Sequence, residues 1–289
     1  MLRYLGRVVM STAIAVFHGA FGRAALYRLN RPLAPHAHRE GHLIFLVRGI
    51  AGSVAVDGER HAVHSGQAIA ISPWQPHDFQ PGDIGEGALF LTLYIKPRWF
   101  EDLSRAMGQA MRFGAPTLPV DGAMRVRVER IADLLASGHQ TTALAEVTAL
   151  TRAAFDRTWF AETPGALCAL RTRQMPSVRD FRIRNALALM NERVADVCAL
   201  DRIARDAGMS RPHFYKLFRQ NLGVTPNMYL NTLRLERSID RLVWSSDAVT
   251  SIGLDLGFAS QASFTRFFSN NVGIAPTDYR RCALVAAAA

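Results

Sequence analysis

Lysine is nearly absent from this 289-residue chain: Lys96 and Lys216 are the only two, and the other 32 of its 34 basic residues are arginines. Cysteine is scarce as well. Cys168, Cys198 and Cys282 are far apart and odd in number, which excludes a disulfide framework and a CxxC metal pair and suits a reducing cytoplasm. No apolar run is long enough to span a bilayer. Arg3 and Arg7 precede the apolar stretch from Val8 to Phe17, but that stretch is short and interrupted, so we read it as a lead-in segment rather than an export signal. Acidic residues number 24, leaving a net charge of +10. With 49% hydrophobic and 20% charged residues, extended disorder is excluded and two domains can be accommodated. After residue 178 stand 15 basic and 10 acidic residues, the same excess as in the longer segment before it. The positive field is therefore denser toward the C-terminus, as an anionic partner would require.

From about Ala24 to Ile95 the chain alternates in short apolar runs broken by turn residues. Leu43–Val47, Ser53–Val56, His61–His64, Ala68–Ile71 and Ala88–Ile95 read as strands, and Asp57-Gly58 as a tight hairpin turn. Many short strands at close spacing predict a small antiparallel barrel. From Trp99 to about Phe160 the period becomes helical. One stripe holds Val126, Ile131, Leu134 and Leu135, another Leu144, Val147, Leu150, Ala154 and Phe155, with Gly138 between them. Such a pair packs on its own barrel, makes a self-association face, or does both. The expected class is α+β: a barrel over 1–98, a helical packing or dimerisation segment over 99–160, a linker over 161–179 and an all-helical domain over 180–282.

The last region carries an internal repeat. Phe218-Arg-Gln-Asn221-Leu-Gly223-Val-Thr-Pro226-Asn-Met-Tyr229 returns fifty residues on as Phe268-Ser-Asn-Asn271-Val-Gly273-Ile-Ala-Pro276-Thr-Asp-Tyr279. Each copy follows a short helix pattern, a glycine (Gly208, Gly257) and a second short helix. That is the form of a helix-turn-helix unit, which places its second helix in a DNA major groove. Leu200, Ile203, Ala204 and Ala207 mark the buried side of the first unit, with Phe214, Leu217 and Phe218 facing inward from its second helix. Arg211, His213, Tyr215, Lys216 and Arg219 are left outward. In the second unit Ile252, Gly253, Leu256, Phe264, Phe267 and Phe268 pack. Gln261, Ala262, Ser263, Thr265 and Arg266 are free to face a ligand. Gln and Arg side chains match adenine and guanine edges, while hydroxyls more often fix the register on phosphates. A helix from about Pro226 to Trp244 joins the units. Leu235, Ile239, Leu242 and Val243 line one stripe, with Arg234, Arg237 and Arg241 away from it. At ~1.5 Å per residue it is a rod of roughly 27 Å, close to one DNA turn.

Residues from about 181 to 282 resemble the C-terminal domain of the AraC/XylS family of bacterial transcription regulators. The matching stretches are Ile203–Ser210, His213–Phe218, Gly223–Pro226, Leu233–Arg237, Ile252–Phe258, Gln261–Phe268 and Pro276–Arg280. The resemblance implies that the helices after Gly208 and Gly257 read DNA, and it favours Pro212, Tyr215 and Lys216 in the first and Gln261, Ser263, Thr265 and Arg266 in the second. Pro212 departs from the usual polar or aromatic reader.

Four histidines stand out near the N-terminus. His36-x-His38-x-x-x-His42 and Pro73-x-Gln-Pro-His77 resemble the two motifs of the cupin superfamily, with His42 where an acidic metal ligand often stands. Imidazoles suit zinc, iron, copper or nickel. Regulators of the resembled family, however, commonly use such a barrel to hold a small effector without a metal. The expectation is therefore effector contact by His36, His38, His42, Trp74 and His77, with no metal and no cofactor. Arg39 and Phe79 are further rim candidates.

The resulting expectation is a cytoplasmic, sequence-specific regulator, an activator by analogy, and not an enzyme. Its partners would be double-stranded DNA, a small-molecule effector, RNA polymerase and a second copy of itself, without a membrane. The competing reading is a metal-dependent cupin enzyme fused to a DNA-binding tail, and occupied histidines would instead make a metal-sensing regulator. A cysteine-based DNA-repair function lacks any activated cysteine environment.

Overall fold

Short strands along the first hundred residues pair antiparallel into two sheets. In the computed structural model, which describes residues 11–82, 87–106, 112–160, 178, 180–196 and 199–285, the strands are β1 (Thr12–Gly19), β2 (Gly22–Leu29), β3 (Leu33–His36), β4 (Gly41–Arg48), β5 (Gly52–Val56), β6 (Glu59–Val63), β7 (Gln67–Ile71), β8 (His77–Phe79), β9 (Ala88–Ile95), β10 (Thr117–Pro119) and β11 (Ala283–Val285). Seven of them form one sheet in the order β10-β7-β4-β9-β2-β1-β11, and four form the other in the order β3-β8-β5-β6. Asp57 (φ 52°) and Gly58 (φ 89°) make the expected hairpin between β5 and β6, since two consecutive positive φ values match the strand twist.

The segment taken as a lead-in is, from Thr12, a strand: β1 pairs with β2 from Thr12↔Arg28 to Gly19↔Gly22. Its mixed composition hides the alternation, because both of its faces are covered. Ala13 and Val16 face one core, Ala15 and Phe17 the other. Residues 1–10 lie outside the described ones.

Helices α1 (Pro97–Ala106), α2 (Gly122–Ala136) and α3 (Gln140–Phe160) follow. Val128, Ile131 and Leu135 of α2 and Val147, Leu150 and Phe155 of α3 bury against Ala24, Leu43, Phe45, Leu91 and Leu93 of the large sheet. The pair thus packs on its own barrel. Val126 does not belong to the stripe: it is 65% exposed, because it stands five residues from Ile131 and the buried row runs through Met124, Val128 and Ile131 instead. The opposite face of the same sheet, with Tyr27, Ile44, Phe90 and Tyr94, meets the small sheet through Val54, Val56 and Phe79. β9 is buried on both sides, which is why it reads as an unbroken apolar run.

The expected linker over 161–179 lies, apart from Val178, outside the described residues. Beyond it come α4 (Phe181–Glu192), α5 (Ala199–Asp206), α6 (Arg211–Leu222), α7 (Pro226–Trp244), α8 (Val249–Asp255), α9 (Gln261–Val272) and α10 (Pro276–Cys282). The repeat is repeated in three dimensions. Gly223 (φ 74°) and Gly273 (φ 90°) end α6 and α9 in the left-handed conformation. Asn221 donates to the Leu217 carbonyl at 2.9 Å and Asn271 to the Phe267 carbonyl at 2.7 Å. Phe218 meets Tyr229 edge-on at 5.5 Å, and Phe268 meets Tyr279 in the same way at 5.5 Å. In the second unit α8 crosses α9 at Gly253, where a Cβ would stand 2.8 Å from that of Phe264.

The arginines of α7 are not free for a partner. Arg234 donates to the Val194 carbonyl at 2.9 Å, Arg237 to the Asn191 carbonyl, and Arg241 to Asp247 and Asp255 at 2.6 and 2.8 Å. They staple α4 and the second unit to the rod. Carbonyls at the end of α4 and carboxylates beside α8 lie within their reach, a consequence of packing that a helical stripe does not reveal.

The two halves share one continuous apolar core. β11 runs parallel to β1, with Val16 opposite Ala283, so the chain's C-terminal part closes the edge of the barrel sheet. The Tyr279 hydroxyl shares a hydrogen bond with His18 Nε2 at 3.0 Å. Burial, then the charges of Arg23 and Lys96, push His18 down to about 3.

A turn and a buried histidine can each be tested. Gly257 has φ 84°, and a Cβ there would lie 2.0 Å from the Ala195 carbonyl oxygen. Gly257→Val should cost at least about 1–3 kcal/mol, read as a lowered denaturant midpoint; an unchanged midpoint would remove the constraint on this turn. Because His18 is neutral when folded and titrates near 6.5 when unfolded, its contribution is intact above that pH and is lost as pH falls toward 3. His18→Gln should reduce the acid loss of stability by up to ~1.4 kcal/mol per pH unit. Equal slopes in the two proteins would show that His18 already titrates normally in the fold.

Candidate functional site

Each helix-turn-helix unit is set by a glycine turn. Gly208 (φ 70°) and Gly257 (φ 84°) let α5 and α8 reverse into α6 and α9. The second turn is one residue longer, running from 256 to 260 against 207 to 210 in the first. Phe214 and Phe218 anchor α6, and Phe264 and Phe268 anchor α9, each with no exposed surface. The opposite faces are open. Arg211, Pro212, His213, Lys216 and Arg219 are exposed on α6, and Gln261, Ala262 and Arg266 on α9.

Other residues named from the sequence are partly engaged. Tyr215 is half-buried, lies edge-on to Phe214 at 6.0 Å and sits beneath Arg211 at 5.6 Å. Arg211 pairs with Asp201 at 3.1 Å. Ser263 closes a capping box with Ser260: each hydroxyl accepts from the other's backbone N–H, at 3.1 and 3.2 Å. Thr250 donates to the Gln261 side-chain oxygen at 2.7 Å, and Thr265 is half-buried. Arg266 therefore combines full side-chain reach with exposure midway along the second reading helix.

The four histidines converge. His36 at the end of β3 stands opposite His77 at the start of β8 in the strand register. His38 follows β3, and His42 comes from β4 in the other sheet. All four are buried, at 4–7% exposure. Ring centroids lie 4.2 Å apart for His36 and His77, 4.9 Å for His38 and His77, and 5.1 Å for His38 and His42. Nδ1 of His36, His38 and His77 donates to the backbone carbonyls of Ala34, Glu40 and Gln75 at 2.7, 2.9 and 2.9 Å. A carbonyl only accepts, so these bonds fix the tautomer and leave each Nε2 as a lone pair. His42 Nδ1 stands 3.0 Å from His38 Nε2. Its own Nε2 and that of His77 are buried without hydrogen-bond partners. Burial first, and then the charges of neighbouring groups, holds His38, His42 and His77 well below the usual imidazole range; His36 is lowered by burial. The cluster is neutral at neutral pH.

Sequence reasoning missed what surrounds it. Tyr94 on β9 packs against His42 with centroids 4.2 Å apart, and the Arg23 guanidinium lies 3.6 Å over the Tyr94 ring and 3.6 Å from Glu40. The available signal was Arg23 in β2, a strand of mostly small and apolar residues that also carries Arg28. Trp74, expected beside the histidines, has φ 63° and turns its ring onto Tyr229 of α7, stacked at 4.7 Å and 12°. Arg39 pairs with Glu236 of α7 at 3.3 Å, and Phe79 is a core residue against Phe90.

Comparison with known proteins places both regions. The AraC-like ligand binding domain model matches residues 21–154, and a helix-turn-helix domain model matches residues 203–282. An HTH-type transcriptional regulator of Haemophilus influenzae is 30% identical over 105 residues, 36% of this chain and 35% of that protein. The HTH-type transcriptional activator RhaS of Escherichia fergusonii is 30% identical over 102 residues, 35% of this chain and 37% of that one. The chain thus spans about a third of the length of these curated relatives. A single-residue variant of ToxT from Vibrio cholerae, in its apo crystal structure, shares the fold over 91% of this chain and 98% of its own, with a TM-score of 0.57 and 13% identity. With the ligand-binding and helix-turn-helix domains of one family matched in succession, the chain belongs to the AraC family of regulators.

Proposed function

We propose that the protein is a sequence-specific regulator of transcription, an activator, that binds double-stranded DNA with α6 and α9 and takes a small effector in its barrel. The observation that carries this reading is the pair of helix-turn-helix units, equivalent down to their capping asparagines and glycines, at the two ends of a 19-residue rod. A rod of about 28 Å suits two helices entering successive major grooves on one face of a duplex. Arg266 and Gln261 on α9 supply base reading, and Lys216 and Arg219 on α6 supply phosphate attraction. The arginines of α7 contribute little to that attraction, since they hold the domain together. No chemical step is needed, and the protein is not an enzyme in this reading. It acts where the chromosome is, in the cytoplasm, with RNA polymerase and a second copy of the chain as further partners. No described helix is long and apolar enough to cross a membrane.

Genomic fragments retained by the full-length protein should show two footprints about one helical turn apart. Retention no better than random duplex at physiological salt would remove the reading. Arg266→Ala should relax discrimination at one base position by about 1–3 kcal/mol. An equal loss on specific and random DNA would instead make Arg266 a phosphate contact.

A further inference from the structure

The histidine cluster differs from a pocket for an organic effector. Its imidazoles pack ring against ring, with centroids as close as 4.2 Å. Each of His36, His38 and His77 offers one ring nitrogen, and the three nitrogens lie within 4.8 Å of one another. With Nδ1 of each ring committed to a carbonyl, the atoms offered are the Nε2 lone pairs, and that of His38 must exchange the hydrogen bond it accepts from His42 Nδ1–H at 3.0 Å for the ion. Backbone carbonyls on the far nitrogen are the arrangement that orients metal-bound imidazoles. Two nitrogens each about 2.1 Å from a tetrahedral ion stand about 3.4 Å apart, so closing the set draws its most distant pair together by up to about 1.4 Å. His42 lies outside that set of three, with its ring centroid 5.1 Å from His38 and 5.5 Å from His77 and its own Nε2 buried without a partner. Neutral nitrogens without a carboxylate or thiolate among them select a borderline ion such as zinc, cobalt, nickel or copper over magnesium or calcium, which demand oxygen.

The residues interleaved with these ligands hold the DNA-binding domain. The Ala37 carbonyl, between His36 and His38, accepts from the Thr232 hydroxyl at 2.6 Å. Arg39, the next residue after His38, pairs with Glu236. The His38 carbonyl accepts from the Trp74 N–H at 2.8 Å, and the Trp74 ring lies on Tyr229. Tyr229, Thr232 and Glu236 are three and then four residues apart, so they line one face of α7. That helix carries both reading units.

We propose that His36, His38 and His77 bind one divalent transition-metal ion through Nε2, with His42 as the fourth ligand, and that this ion is the effector, reported through α7 to the DNA-reading helices. This rests on the regulator reading above, and it replaces the metal-free effector contact expected from the sequence. An ion that draws the His36 and His38 rings together bears directly on the Ala37 and Arg39 contacts interleaved with them, so metal and DNA affinities are coupled in both directions.

The test uses untagged, full-length protein stripped by a chelator and titrated with Zn²⁺, or with Co²⁺ as a visible-absorbing probe. One ion per chain is expected, with cobalt bands of a tetrahedral, nitrogen-rich site. His36→Gln and His77→Gln should abolish stoichiometric uptake. Thr232→Val leaves every imidazole in place and guards against a folding defect in those variants: it should keep the ion. Zn²⁺ should change wild-type affinity for selected DNA by roughly 5- to 150-fold, and that change should shrink or vanish in Thr232→Val. A folded wild-type chain that takes no ion overturns the proposal, as does uptake that survives both glutamine substitutions, or DNA affinity indifferent to Zn²⁺. Selection of DNA without metal uptake sinks this proposal alone. Metal uptake without selection of DNA supports the site and sinks the regulator reading.

Discussion

The double burial of α7 is the constraint on which the molecule depends. Leu233, Leu235, Ile239 and Leu242 are all nearly inaccessible on a helix that also presents Tyr229 and Thr232 to the barrel. A helix covered on so much of its circumference cannot shift without disturbing both neighbours, since packed interiors respond by discrete rearrangement rather than by yielding smoothly. Its arginines, turned to carbonyls at the end of α4 and to carboxylates beside α8, brace α4 and the second reading unit against the rod.

This arrangement gives the repeat a second meaning. The tyrosine that closes each copy packs on its own unit's phenylalanine and also reaches the barrel, Tyr229 through Trp74 and Tyr279 through His18. One duplicated feature therefore serves the helix-turn-helix core and the docking of that core. The buried set of Arg23, Glu40, Tyr94 and Tyr279 places charge and hydroxyl groups in the same seam. Such groups persist in a low-dielectric interior only because they satisfy one another.

The histidines fit the same logic from the barrel side. Strand pairing brings His36 and His77 face to face, and β4 adds His42 from the opposing sheet. Three backbone carbonyls then hold the rings in a single tautomer. A cluster built by two sheets and tied to α7 by the carbonyls between its members is placed to sense occupancy and pass it on.

Local chemistry was enough to read much of this from the sequence: the Asp57-Gly58 hairpin, the α2–α3 pair, the extent of α7 and both glycine turns, because turn geometry and helical period are properties of a few adjacent residues. The tertiary structure alone decided that the segment from Thr12 is a strand, that Val126 faces outward, that the arginines of α7 are internal braces and that Trp74 belongs to the domain seam. It also brought Tyr94 and Arg23 beside the histidines and joined β11 to β1 across the whole length of the chain. Each of these depends on partners distant in sequence, and burial on two faces erases the periodicity by which a single face would have announced itself.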